Sequence, residues 1–275
     1  VGFVKFNPSA ADHIVANKLL SRAALLVLVK PGQISNVPDF KPSAISIKVP
    51  IRKLVSDTNT PGFARLVVWP GPPSTPQAFG PNKWGSFVWV DLDPKKPSTG
   101  DGSVARGSDL RTPATTYSVN DFISFKDATG SISVVVGMHV TTREIAKWTW
   151  QTFWWTPNAA NPPLPSSAAI ASARPAKLLG MGAPAHYAVS LSYSMRTSSG
   201  RNVFGYNPYL EAGFSGLPGT FKFGVQTNCM SCHASAAFPA FPHSEVYVGD
   251  EVVDIADPKY RGRVRLDFLY SLEQP

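Results

Sequence analysis

The sequence contains little cysteine and little charge for its length. Its 275 residues include only 2 cysteines. Asp, Glu, Lys and Arg make up 16% of the chain, against about 25% in an ordinary soluble domain. Two cysteines cannot supply the several disulfides of a small disulfide scaffold. The low charge and the 43% of hydrophobic residues exclude an intrinsically disordered chain. A hydrophobic core must therefore hold the fold.

No apolar run in the sequence is long enough to cross a membrane. A spanning helix needs about 18 or more consecutive apolar residues, and the longest apolar run, from Ala23 to Val29, is bounded by Arg22 and Lys30. We therefore expect no membrane span. The chain opens at Val1 rather than at a methionine, and we expect that a leader peptide has been removed.

The chain carries an excess of positive charge but no dense basic segment. Its 26 Lys and Arg residues outnumber its 18 Asp and Glu residues, which gives a net charge of +8. No basic run is interleaved with aromatic residues, as it is in proteins that bind single-stranded nucleic acid. We therefore expect no nucleic-acid partner. A basic surface that attracts an acidic redox protein fits this charge distribution better.

Short alternating patterns predict a mainly β fold. Ile45, Ile47 and Val49 alternate with polar residues, and a similar alternation runs from Tyr187 to Met195. The 26 prolines and 21 glycines suit the turns between short strands. No internal repeat and no break in composition divides the chain. The sequence therefore predicts a single elaborated β-sheet or sandwich domain with a few short helices.

Three segments carry more specific expectations. A helix is predicted from Ser9 to Ser21, and a buried strand from Ala23 to Val29. The spacing of Thr141-Thr142-Arg143-Glu144 is typical of a capping box, which predicts a helix from Thr142 to Trp154. The aromatic residues of that last segment are too dense for one narrow stripe. It is therefore either a helix buried on most sides or partly extended.

Both cysteines lie in one motif, Cys229-Met230-Ser231-Cys232-His233. Two thiols on one helical turn can each add to a vinyl group of haem, and the adjacent imidazole can then bind the iron as proximal ligand. A zinc site would need a second pair of Cys or His ligands at suitable spacing. A thioredoxin-like redox pair would need a βαβ context, which the sequence lacks. The motif therefore predicts one covalently attached haem c.

This motif also defines the expected organisation and location of the chain. We predict a single haem-binding domain over residues 1–275. It has a β-rich body (1–225), a haem-attachment segment (226–245) and C-terminal strands (246–275). Because c-type haem is attached outside the cytoplasm, the motif implies an exported protein of the periplasm or cell envelope.

At this motif the chain resembles the c-type cytochromes. The late position of the motif and the β-rich body look more like the β-sheet cytochromes, namely the cytochrome c′-beta group and the hydroxylamine-oxidising group with a lysine-crosslinked haem. The segments Gly137-Met138-His139-Val140 and Trp148-Thr149-Trp150-Gln151-Thr152-Phe153 resemble those of large bacterial monohaem proteins of the cytochrome c family. That resemblance covers more of the chain and implies haem binding without an assigned activity.

His139 is the candidate for the distal side of the haem. It is expected on a strand face shared with Val135 and Gly137, where the missing side chain of Gly137 would leave room for a flat macrocycle. His139 is then either the sixth iron ligand or a polar group beside a bound ligand. A structural role at the end of the strand is the alternative. His186, His243 and Met195 are further candidate ligands.

Two functional classes remain open from the sequence, beside a structural or partner-binding domain with a vestigial haem. The first is a haem enzyme, such as an oxidoreductase, or a redox protein that binds a small molecule in a distal pocket. The alternative is an electron-transfer cytochrome that docks an acidic partner. A chain of 275 residues for one haem favours the first class, because an electron shuttle needs far less protein. No catalytic residue is predicted beyond the haem-binding residues.

Overall fold

The computed structural model describes residues 2–75, 77–215, 228–242 and 252–273, and it is mainly β, as predicted. The strands are β1 (Gly2–Phe6), β2 (Ile34–Asn36), β3 (Ile45–Lys53), β4 (Phe63–Val67), β5 (Ser86–Asp91), β6 (Ala105–Arg106), β7 (Thr116–Ser118), β8 (Ser124–Lys126), β9 (Ile132–Val135), β10 (Gly137–Thr142), β11 (Thr149–Trp155), β12 (Tyr187–Ser192), β13 (Ala237–Phe238) and β14 (Arg263–Arg265). The helices are α1 (Pro8–Ala16), α2 (Arg22–Leu28), α3 (Ala168–Ser172), α4 (Ala176–Leu179), α5 (Pro208–Glu211) and α6 (Cys229–His233).

A seven-stranded antiparallel sheet forms the centre of the fold. Its strand order is β12-β11-β10-β3-β9-β8, and β1 also pairs with β3. The long strand β3 therefore joins two groups, because its first half pairs with β10 and its last three residues pair with β9. A four-stranded sheet contains β4 to β7, and a three-stranded sheet has the order β13-β14-β2.

Two large hydrophobic clusters form the core. One contains residues of the N-terminal helices, of α6 and of the C-terminal segment, with Trp148 and Trp150 from the central sheet region. The other packs the central sheet against β4 and β5, and Trp154 and Trp155 are fully buried in it. The first part of β11, with Trp150, thus belongs to one cluster, and its last part, with Trp154 and Trp155, belongs to the other. The aromatic side chains of this strand pack the central sheet into both clusters.

The prediction of a buried strand from Ala23 to Val29 is wrong, because α2 occupies this segment. The Oγ of Ser21 accepts a hydrogen bond from the backbone N–H of Ala24 and caps the helix. Alanine and leucine are strong helix formers. Only Leu25 of this helix is buried, whereas a central strand would bury every residue.

The prediction of a helix from Thr142 to Trp154 is also wrong, because β11 occupies this segment from Thr149 onward. The alternative of a partly extended segment agrees with the structure. Its β-branched and aromatic residues favour a pleated, buried strand. The hydroxyl of Thr142 donates to the carboxylate of Glu144 at 3.0 Å and lies 2.7 Å from the hydroxyl of Thr149. The spacing typical of a capping box therefore belongs here to the turn between β10 and β11.

The C-terminal region contributes both strand and loop. β13 lies inside the predicted haem-attachment segment (226–245) and pairs with β14. Among the described residues of the predicted C-terminal strand region (246–275), β14 is the one strand. A helix long and apolar enough to span a membrane is absent from the described parts of the chain.

Candidate functional site

The site is built on one face of the central sheet. Lys48 on β3, His139 on β10 and Thr152 on β11 lie directly opposite one another in the strand register. Residues directly opposite in antiparallel strands have their side chains on the same face. The next row on this face contains Ser46, Thr141 and Trp150, which again are register partners. All residues of these two rows except Thr152 line the site.

A cavity of about 550 Å³ lies over this face. Cofactor sites in proteins are commonly 300–1,000 Å³ by order of magnitude, so its size suits a bound cofactor. Its walls are Val4, Ser46, Lys48, His139, Thr141, Trp150, Gly205, Tyr206, Glu211, Gly213, Phe214, Ser215, Cys229, Cys232, His233, Leu269, Tyr270 and Ser271. The cavity therefore brings the three motif residues together with His139, from which they are about ninety positions distant in the sequence.

The motif forms the short helix α6, which is fixed from its N-terminal end. The side chain of Asn228 accepts hydrogen bonds from the N–H groups of Met230 and Ser231. Its amide also donates to the carbonyl of Val203 at 2.7 Å and to that of Ser194 at 3.2 Å. Asn228 is buried. One side chain thus caps the helix and ties it to the segment that follows the central sheet.

The ring of His233 has one nitrogen engaged by the protein. Its Nδ1 donates to the carbonyl oxygen of Phe268, at 2.8 Å. This leaves Nε2 without its proton in the neutral imidazole, with a lone pair for a metal. Burial lowers the pKa of His233 to about 4, so the ring is neutral at pH 7. The rings of Trp150 and Tyr270 lie 4.3 and 5.1 Å from it, measured between centroids.

The two thiols lie in the cavity wall as free cysteines. The Sγ of Cys229 donates to the carbonyl of Gly205 at 3.0 Å. Burial raises the pKa of Cys229 well above its ordinary value and raises the pKa of Cys232 to about 12; the charge of Glu211 acts in the same direction on both groups. Neither thiol is therefore ionised at pH 7 in the folded chain.

A strained loop supplies the carbonyl that His233 contacts. Asp267 and Phe268 both adopt positive φ, at 46° and 69°, which is uncommon for residues other than glycine. The carboxylate of Asp267 accepts from Nε of Arg143 at 3.0 Å and from Nε1 of Trp148 at 3.1 Å. Trp148 also has a positive φ, of 61°. The Asp267 carboxylate holds together two strained segments, one of which contains the partner of His233.

On the sheet side of the cavity, His139 is paired with a carboxylate. Its Nε2 lies 3.1 Å from Oε1 of Glu211, and the side chains are 14% and 16% exposed. The other carboxylate oxygen of Glu211 accepts the backbone N–H of Asn207. The Asn207 amide in turn donates to Oγ1 of Thr152 and to the carbonyl of Phe153. A buried polar network thus fixes Glu211 and, through it, His139.

The expected role of Gly137 is wrong in one respect. The structure confirms that Gly137 and His139 share a strand face, but β9 and β10 are separate strands, interrupted at Val136. A Cβ added at Gly137 would lie 2.6 Å from the amide nitrogen of Asn207 and 2.8 Å from the carbonyl oxygen of Phe153. The space above Gly137 therefore accommodates Asn207 rather than a macrocycle.

Two of the other sequence candidates, Met195 and His186, do not line this cavity. Met195 is buried, and its sulfur accepts the backbone N–H of Val253. His186 faces Asp121, with Nε2 and Oδ1 3.6 Å apart. His243 lies outside the described residues.

Sequence reasoning missed Glu211, Lys48 and Asp267. Glu211 follows Pro208 on a helix of four residues, too short to produce a periodic pattern. Lys48 is one of the polar residues that alternate with Ile45, Ile47 and Val49, and nothing else in the sequence marks it. The strand alternation that placed Ile45 and Ile47 together could also have placed Ser46 and Lys48 together on the opposite face. No local signal marks Asp267, because its partners are more than a hundred positions away.

These residues fit a covalently attached haem. Two thiols and an imidazole with one nitrogen committed to a carbonyl are the donor set that c-type attachment requires. The aromatic rings beside His233 provide apolar walls for a flat group. Within the described ranges, no cluster of three or more His, Cys, Asp or Glu side chains is placed to hold a metal ion. Haem iron needs no such cluster, because the porphyrin supplies most of its ligands.

Comparisons of the chain with protein-family models, with curated proteins and with solved structures find no match.

Proposed function

We propose that the protein is an exported monohaem c-type cytochrome that binds a small molecule at its haem. Cys229 and Cys232 hold the haem covalently, and His233 is the proximal iron ligand. His139 lies on the distal side. The observation that carries this proposal is the shared cavity of about 550 Å³, which the three motif residues and His139 all line.

The hydrogen bond of His233 supports its role as a ligand. Histidines that bind metals usually donate their other ring N–H to a carbonyl or a carboxylate, which fixes the tautomer and the ring orientation. The contact between His233 and Phe268 has this form. The low pKa of His233 keeps the ring neutral, which ligation requires.

Bound haem would supply a redox-active iron that can bind a small ligand. The chain's own residues would orient and enclose this group. α6 positions the thiols of Cys229 and Cys232. The rings of Trp150 and Tyr270 lie beside the ring of His233. His139, fixed by Glu211, presents a polar group on the sheet side of the cavity. A polar distal group is typical of haem proteins that bind or activate small molecules.

Covalent attachment can be tested by haem staining after denaturing electrophoresis of protein made with the c-type maturation machinery. We expect the wild type to retain the stain, and the double variant Cys229→Ala/Cys232→Ala to lose it. Ser231→Ala is the matched control, because it keeps the motif spacing and removes a buried hydroxyl that has no partner among the described residues. Release of haem from the wild type into acidic organic solvent would contradict the proposal.

A further inference from the structure

The sheet side of the cavity contains three groups whose roles the attachment motif does not explain. His139 and Lys48 are register partners on adjacent strands, so their side chains leave the same face of the sheet side by side. Glu211 approaches from α5 and contacts His139. All three line the cavity that contains His233.

Glu211 occupies the nitrogen through which His139 would most readily reach a metal. Nε2 is the ring nitrogen farther from the backbone, and it donates to Oε1 of Glu211 at 3.1 Å. A nitrogen that carries this proton has no lone pair for iron. Glu211 cannot simply swing away, because Asn207 binds its second oxygen and is itself bonded to β11.

Lys48 has no ion-pair or hydrogen-bond partner among the described residues. It lines the cavity, and its positive charge contributes to the pKa of both Cys232 and His233, after burial as the main cause. The acidic side chain in the cavity wall is Glu211, which is already engaged by His139 and Asn207. The ammonium of Lys48 is therefore available to a negatively charged ligand in the cavity.

We propose that Glu211 holds His139 away from the iron, so that the sixth position stays open for a small inorganic anion that Lys48 binds. This inference rests on the proposed haem attachment. Glu211 is a positioning residue in this arrangement, since it acts through His139. The open position distinguishes this protein from a six-coordinate electron shuttle.

The first test is the spin state of the ferric holoprotein, measured by absorption and electron paramagnetic resonance. We expect a high-spin wild type. Glu211→Ala releases His139 and should give a low-spin spectrum, and Glu211→Ala/His139→Ala should return to high spin. Glu211→Gln keeps an acceptor oxygen for His139 and should remain high-spin. This variant can still be measured if Glu211→Ala does not fold.

The second test measures the ligand class with azide as the anion for the ferric protein and carbon monoxide as the neutral ligand for the ferrous protein. Lys48→Met should weaken azide binding about tenfold, the effect of losing one charged contact, and should leave carbon monoxide binding unchanged. Lys53→Met is the matched control, because it removes the same charge from the same strand at a position outside the cavity wall.

The outcomes separate the two proposals. A wild type without covalent haem defeats the proposed function. A stained wild type that is low-spin, or a stained Glu211→Ala variant that is high-spin, overturns the role of Glu211. Equal effects of Lys48→Met and Lys53→Met on azide binding overturn the anion site, because a general change in net charge would then explain both.

Discussion

The ring of His233 is bonded to the backbone of Phe268, with 2.8 Å between Nδ1 and the carbonyl oxygen. This contact joins the last residue of α6 to a loop 35 positions later in the chain. The loop adopts its strained conformation at Asp267 and Phe268 because the side chain of Asp267 is held by Arg143 and Trp148. The orientation of the proposed iron ligand therefore depends on residues that are remote from the motif.

Replacement of Asp267 should destabilise the protein. Asp267→Ala removes the acceptor of two largely buried donors, Arg143 Nε and Trp148 Nε1, and places alanine at a positive φ. We expect the free energy of unfolding, measured with urea, to fall by about 2–4 kcal/mol. Asp267→Asn keeps an oxygen acceptor and tolerates the backbone conformation, so it should lose clearly less. Equal losses in the two variants would show that the acceptor oxygen is unimportant.

The hydroxyl and the ring of Tyr270 should make separable contributions. The hydroxyl donates to the carbonyl of Cys232 at 2.8 Å, and the ring lies beside His233. Tyr270→Phe removes only the hydrogen bond and should cost about 1 kcal/mol in urea unfolding. Tyr270→Ala also removes the ring and should cost about 2–4 kcal/mol, since the side chain is partly buried.

Tyr260 provides a control for this pair. Its hydroxyl donates to the carbonyl of Ala234 at 3.1 Å, two residues beyond Cys232, and Tyr260 is not part of the cavity wall. Tyr260→Phe should therefore match Tyr270→Phe in stability. A Tyr270→Ala variant no less stable than Tyr270→Phe would contradict packing of the ring against His233.

The mainly β class followed from the sequence, because alternation in β3 and β12 is a local property of the chain. Two element assignments failed where local signals compete with tertiary context. The Ala23 to Val29 run is apolar enough for a buried strand but forms α2, since burial is limited to one side. The segment that forms β11 has a local capping spacing, yet pairing on both edges with β10 and β12 fixes it as a strand.

The site was predictable only where its chemistry is contiguous. The spacing of the motif is enough to predict Cys229, Cys232 and His233 as haem-binding residues. The alternation of its strand predicted His139. Glu211 was not, because its contact with His139 joins positions 72 residues apart. The sequence correctly predicted a close approach at Gly137, but the group that approaches is Asn207 and not a macrocycle. A glycine in a strand shows that space is left, but it does not show which group fills that space.

His186 should make the folded state less stable as the pH falls. Burial lowers the pKa of His186 below its ordinary value, and the charge of Asp121 offsets part of that effect. The unfolded chain then takes up a proton more readily than the folded chain, so stability is full above about pH 6.5 and falls as the pH drops below it. His186→Gln should lose less stability between pH 7 and pH 5 than the wild type in urea unfolding.

Asp121→Asn gives the complementary test of the same group. Removal of the offsetting charge lowers the pKa of His186 further, so the loss of stability on acidification should be steeper than in the wild type. At pH 8 the imidazole is neutral in both states, so comparison there measures any effect of the substitutions unrelated to protonation. Parallel pH profiles for the wild type and His186→Gln would exclude His186 as the titrating group.

Gly137→Ala should perturb the polar network that fixes His139. The added methyl group would lie 2.6 Å from the amide nitrogen of Asn207 and 2.8 Å from a backbone carbonyl, so Asn207 must move. Asn207 caps α5 and binds Glu211 through its backbone N–H. We expect a loss of about 1–3 kcal/mol from overpacking, measured in urea, together with a change in the ferric haem spectrum as Glu211 and His139 shift.

Gly180→Ala is the matched control. Gly180 has a negative φ of −93°, and its added Cβ would meet only the carbonyl of Lys177, at 3.9 Å. That variant should stay within about 0.5 kcal/mol of the wild type with an unchanged spectrum. A Gly137→Ala protein as stable as Gly180→Ala would show that Asn207 is not packed against the strand as described.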